Sequence, residues 1–126
     1  MLRGKIGFIG IAVLAIMGAA VLSQAAPTKL SQVVYITRSK ACGCSAKSVN
    51  AADAVIARVF AGPRQALLKR IDYDTDRQAA VPYIGQFRLI QLPALLFLDS
   101  QGNLLWSAIG NVETQQVAQK LDQLGG

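Results

Sequence analysis

The chain has 126 residues, 52% of them apolar, with 13 Lys and Arg against 7 Asp and Glu, two cysteines and no histidine. That length holds one small domain and at most one appendage. The missing histidine excludes Ser-His-Asp and Cys-His catalysis and every His-ligated metal centre, and two cysteines cannot build a four-cysteine zinc or iron–sulfur site within one chain.

Residues 1–25 form a segment of their own. Arg3 and Lys5 precede an uncharged apolar run from Ile6 to Leu22, and Ser23-Gln24-Ala25 places small residues where a signal peptidase cuts. The segment is either a cleaved signal peptide or an N-terminal membrane anchor, since the run spans about 25 Å as a helix against a hydrocarbon core of roughly 30 Å. In both cases the positive flank stays inside and the rest of the chain is exported, to a periplasmic or other extracytoplasmic place. Membrane association, under the anchor alternative, goes through residues 6–22. A cut after Ala25 removes two of the 13 bases and none of the 7 acids, so the formal charge of +6 becomes +4. The remaining bases are spread from Lys29 to Lys120 without a run and without interleaved aromatics, which gives nucleic-acid binding no support.

Residues 26–32, with Pro27-Thr28-Lys29, read as a linker, and 33–126 as the domain. The β-branched and aromatic run Val33–Thr37 predicts a buried strand, and Arg38 to Gly43 a basic loop. From Ser45 to Phe60 the apolar positions Val49, Ala52, Val55, Ile56, Val59 and Phe60 follow helical spacing, and Gly62-Pro63 ends the element. A second strand is expected over Ala66–Tyr73. A second helix should start near Asp74 to Asp76 and end around Gly85 to Phe87, with Pro82 kinking or splitting it. Ala94–Leu98 is a continuous apolar strand, Asp99–Asn103 a hairpin turn, and Leu104–Ile109 its partner strand. A final amphipathic helix carries Val117, Leu121 and Leu124 on one face. Asp72, Asp74 and Asp76 alternate like the start of a calcium loop, but Arg77 stands where that loop needs Gly and Tyr83 where it needs Glu; a strand end followed by a helix cap explains them.

The cysteines sit between the first strand and the first helix. A Cys42–Cys44 bond would close almost no loop and restrict the unfolded chain very little, so it makes a poor structural staple. A cysteine just before a helix faces unpaired backbone N–H groups and the positive end of the helix dipole, and both favour thiolate. Arg38, Lys40 and Lys47 add positive potential and are the expected pKa-tuning residues. A Cys42 thiol of lowered pKa is a better leaving group and stabilises the reduced state, which predicts an oxidising couple.

Three stretches carry a resemblance: Val33–Thr37 followed by Cys42-Gly43-Cys44, then Ile71-Asp72-Tyr73-Asp74 with Tyr83 to Ile90, and above all Leu92-Pro93-Ala94-Leu95-Leu96-Phe97-Leu98 with its hairpin. Together, over about residues 30 to 124, they resemble the thioredoxin superfamily. The resemblance implies an α/β fold of order βαβαββα, a central four-stranded mixed sheet flanked by helices. It implies a thiol–disulfide oxidoreductase acting on a cysteine-containing protein substrate, with a further redox partner and no cofactor. Cys42 would form the mixed disulfide and Cys44 resolve it, while a cis Leu92–Pro93 peptide would lie against them and pair with an extended substrate. The chain departs from the family pattern in having one residue, not two, between the cysteines. Ala41 replaces the usual tryptophan, and Ile36 stands near the place of a buried carboxylate. Trp106, on the last strand, reads as packing. Two other readings remain: a Cu(I) carrier on two thiolates, for which the only methionines are Met1 and Met17, or a redox-inactive interaction module of the same fold.

Overall fold

The fold, described for residues 29–126 in a computed structural model, is organised around β1 (Gln32–Thr37). The apolar run 6–22, and with it the choice between signal peptide and anchor, lies outside the described residues. On one side β1 pairs in parallel with β2 (Leu68–Asp72), and on the other it runs antiparallel to β3 (Ala94–Leu98). A second antiparallel pairing joins β3 to β4 (Leu104–Ile109), giving the order β2-β1-β3-β4. Both central strands are covered on both faces, so their apolar residues run continuously and do not alternate with polar ones.

The period-2 alternation of side chains sorts the core into two halves. Val33, Tyr35, Leu95 and Phe97 pack under α1 (Gly43–Val59) and α3 (Thr114–Leu124), where Trp106 meets Phe97 edge to face at 5.1 Å between ring centroids. Val34, Ile36, Leu96 and Leu98 pack under α2 (Arg77–Phe87). Ile36 is thus fully enclosed in apolar surroundings, with no carboxylate in its place. The β3–β4 hairpin is tied by Asp99, whose Oδ1 accepts the backbone N–H groups of Gln101 and Asn103 at 2.8 and 2.9 Å.

The element order agrees with the sequence reading, and the larger boundary differences have physical reasons. Helix α1 starts at Gly43, two residues before the expected Ser45, because Cys42 itself takes the N-cap position. Gly62-Pro63 does not simply end a helix: it opens a 3-10 helix over Gly62–Leu67, since proline's fixed φ and missing N–H suit a first turn. That helix takes Ala66 and Leu67, so β2 begins only at Leu68. Helix α2 runs through Pro82 without splitting; the carbonyl left without a donor belongs to exposed Gln78, where water can satisfy it.

Candidate functional site

The site is the corner where β1 gives way to α1. Cys42 has extended backbone angles, φ −67° and ψ 162°, and its carbonyl accepts the N–H groups of Ser45 and Ala46 at 2.9 and 2.8 Å. No side chain caps the helix, so its first turn presents backbone N–H groups to the sulfur of Cys42. Both cysteines are exposed free thiols, their Sγ atoms 2.7 Å apart, and Cys42 Sγ also lies 3.3 Å from Ser45 Oγ.

These neighbours make the two sulfurs chemically unequal. The Cys44 S–H, then the Ser45 hydroxyl, then the Ser45 backbone N–H stabilise the Cys42 thiolate and hold its pKa down to about 6. The same hydrogen bond, followed by repulsion from the Cys42 charge, pushes the Cys44 thiol above its ordinary value. One exposed sulfur is therefore a thiolate near neutrality while its neighbour keeps its proton. Ser45 was not among the residues the sequence pointed to; a hydroxyl three residues past an N-cap cysteine was the available signal.

The three expected pKa-tuning bases fall in different places. Arg38 is committed to Asp74, donating from Nη2 to Oδ1 at 3.0 Å and from Nε to Oδ2 at 3.4 Å, and it lies over the Tyr73 ring at 5.4 Å. Its guanidinium is held charged chiefly by Asp74 and only least by the Cys42 sulfur. Lys40 reaches the same carboxylate through its backbone, N–H to Oδ2 at 2.8 Å, and its side chain is exposed. Lys47 is exposed on the next turn of α1. Asp72 accepts the Ser39 N–H at 3.1 Å and the Asp74 N–H at 3.0 Å. Of the three aspartates read as a strand end and cap, only Asp76 caps α2, accepting from the Ala79 N–H; Asp72 and Asp74 bind the loop that carries Cys42.

Pro93 is buried and preceded by a cis peptide from Leu92, and its carbonyl accepts the Gly110 N–H at 2.8 Å. Among the described residues no hydrogen bond uses the N–H or C=O of Leu92. Arg38, Ser45, Tyr73, Ile90 and Leu92 line one groove of about 380 Å³, so Leu92 and the Ser45 partner of Cys42 face the same space. A second groove, about 460 Å³, lies between α1 and the β4–α3 link and is lined by Lys47, Ser48, Ile109 and Asn111. Gln91 borders both. Among the described residues no group of three or more His, Cys, Asp or Glu side chains stands together as a metal site would require.

A further polar cluster escaped sequence reading. Asp53 Oδ1 accepts from the Tyr35 hydroxyl at 2.6 Å, from Thr37 Oγ1 at 3.2 Å and pairs with Arg70 at 3.3 Å, tying α1 to β1 and β2. Burial, then the bond to Asp53, pushes the Tyr35 phenol well above its ordinary pKa.

No family model and no curated protein matches the chain. Solved structures do match. Trxlp from Edwardsiella tarda superposes with a TM-score of 0.53 at 20% identity, over 75% of this chain and 84% of that one. The oxidised C-terminal domain of DsbD from Neisseria meningitidis gives 0.54 at 16% identity, over 78% and 82%. Thioredoxin O2 from Arabidopsis thaliana, also oxidised, gives 0.52 at 20%, over 76% of each chain. These similarities, with the mixed four-stranded sheet flanked by helices, establish the thioredoxin fold.

Proposed function

We propose that this protein is an exported thiol–disulfide oxidoreductase acting on protein cysteines through a Cys42–Cys44 couple. The observation that carries the reading is the pair of exposed thiols whose sulfurs lie 2.7 Å apart at the uncapped N-terminus of α1, an arrangement that lowers the pKa of Cys42 and raises that of Cys44. The names of the similar structures, thioredoxins and a DsbD domain, are consistent with it. Export rests on the sequence of residues 1–25 alone.

The Cys42 thiolate attacks one sulfur of a substrate disulfide, forming a mixed disulfide and expelling the other sulfur as thiolate. Cys44 then loses its proton to solvent and attacks the Cys42 sulfur, which breaks the mixed disulfide and releases the second substrate thiolate. Two electrons have passed to the substrate, and the Cys42–Cys44 bond has formed; the reverse sequence oxidises a dithiol. The thiols carry both electrons, so the cycle needs no bound cofactor, only a second redox partner to reset it. The unpaired N–H and C=O of Leu92 offer an extended substrate segment a place to pair beside the sulfurs.

Stabilising the thiolate stabilises the reduced form and makes Cys42 a better leaving group, so the couple favours oxidising its partner. Equilibration with a glutathione redox buffer tests this. The expected potential is higher than the roughly −270 mV of thioredoxin. A value at or below that would reverse the assigned direction, and no reversible couple at all would reject the oxidoreductase reading.

A further inference from the structure

We propose that the thiol site reads the two sides of a substrate cysteine differently, directing an apolar side chain towards Ile90 and a carboxylate towards Lys47. This rests on the oxidoreductase reading and adds its substrate class: extended polypeptide segments with an apolar residue on one side of the cysteine and an acidic one on the other.

Two chemically distinct grooves meet at Gln91. The first is walled by Tyr73, Ile84, Leu89, Ile90 and Leu92. Ile90 is 93% exposed, an apolar side chain left almost wholly in water beside the site. Among the described residues the one cation lining this groove, Arg38, is paired with Asp74. The second groove differs by an unpaired charge: among apolar Ala51, Ile109 and Val112, Lys47 is exposed and makes no salt bridge among the described residues, and Ser48 and Asn111 stand beside it. The acid on the adjoining link, Glu113, is engaged by the Asn111 amide at 3.0 Å.

Gln91 forms the ridge between them because Gly110 leaves room for it. A Cβ on Gly110 would fall 2.8 Å from Gln91 Cδ and Nε2, so the glutamine side chain lies directly over that glycine. In an extended segment paired at Leu92, the residues two before and two after the cysteine share its face and stand roughly 7 Å to either side. One then falls on each flank of the ridge. An exposed lysine–carboxylate pair contributes modestly, enough for about a fivefold difference in rate, and salt screens it.

The test uses peptides with a central cysteine held as a mixed disulfide with thionitrobenzoate, so that attack by Cys42 joins protein to peptide and expels the coloured thiolate. Leu and Glu occupy the flanking positions in both orders, and a parallel pair carries Lys in place of Glu. The mixed disulfide of mercaptoethanol supplies a neutral reference that cancels any change in Cys42 reactivity. In one order the Glu peptide should react about fivefold faster than its Lys counterpart, relative to the reference. Lys47→Glu should reverse that preference, and added salt should erase it. Ile90→Ser should slow the Leu peptides relative to Gly-substituted ones. Equal rates for Glu and Lys peptides, or a preference that Lys47→Glu leaves standing, would overturn the proposal while sparing the oxidoreductase reading. Release from none of the probes, or release no faster than by Cys42→Ser, would remove that reading as well.

Discussion

Asp74 holds Arg38 at two points, 3.0 Å from Nη2 and 3.4 Å from Nε, and with the same carboxylate accepts the Lys40 N–H at 2.8 Å. The loop that ends in Cys42 is therefore fixed from outside, by a residue of the β2–α2 connection. Asp72 adds a second anchor through the Ser39 N–H. A short loop without a side-chain cap on the helix that follows would otherwise leave the nucleophile's position to its own backbone.

The Arg38 guanidinium, then the Lys40 N–H, hold folded Asp74 below its ordinary pKa of 3.8. A carboxylate so depressed contributes stability that is complete above its unfolded pKa and is lost as pH falls through the lower folded one. We expect Asp74→Ala to lower the urea midpoint at about pH 7, and the gap from wild type to close progressively below about pH 4. An undiminished gap in acid would mean that Asp74 acts by packing and not through its charge.

The thiolate at Cys42 depends first on the Cys44 S–H and next on Ser45. Cys44→Ala and Ser45→Ala should each raise the Cys42 pKa from about 6 towards 9.0, while Cys44→Ser, which keeps a donor, should raise it least. At about pH 7 a thiol of pKa near 6 is roughly nine-tenths ionised, against about one part in a hundred for an unperturbed one. Iodoacetamide labelling as a function of pH measures the shift directly. The depressed pKa also makes the reduced protein gain stability as pH rises from about 6 to 9.0, a gain that Cys42→Ser should abolish.

Tyr35 is fully buried, and its hydroxyl has Asp53 as acceptor at 2.6 Å. Removing that acceptor leaves the buried phenol only the Thr37 hydroxyl as a partner. Asp53→Ala should cost about 1–3 kcal/mol in chemical denaturation, and Tyr35→Phe in that background should recover part of the loss. Strictly additive effects would show that the pair does not interact.

The order of elements was legible because the apolar runs 33–37 and 94–98 and the helical periods of α1 and α3 are strong local signals. The cysteine pair was legible for the same reason, being adjacent in sequence and placed at a strand–helix junction. What went unread joins residues far apart. Asp72 and Asp74 lie more than thirty positions from the loop they bind, and an aspartate before a helix is locally indistinguishable from a cap. Asp53, beside Ala52 and near Val55 in the helical period, has no local feature to show that it faces Tyr35 and Thr37 on β1. Ala66-Leu67 read as strand because a 3-10 turn over 62–67 has no hydrophobic period of its own. The tuning of Cys42 was expected from helix N–H groups, the helix dipole and nearby bases; backbone N–H groups do contribute, but the side-chain hydrogen bonds from Cys44 and Ser45, which the sequence reading left out, come first.

Gly110 joins β4 to the link that borders the site, and three demands meet there. Its φ is +76°, its N–H serves the Pro93 carbonyl at 2.8 Å, and a Cβ would strike the Gln91 side chain at 2.8 Å. Gly110→Ala therefore meets both backbone strain, about 1–2 kcal/mol in the left-handed region, and displacement of Gln91. The two separate experimentally. Gln91→Ala in the Gly110→Ala background should leave the loss of thermal stability in place, because strain in φ does not depend on the neighbour. It should relieve any change in peptide reactivity caused by a shifted glutamine ridge. If instead Gln91→Ala restores the stability of Gly110→Ala, the collision and not the backbone is what makes glycine necessary at this position.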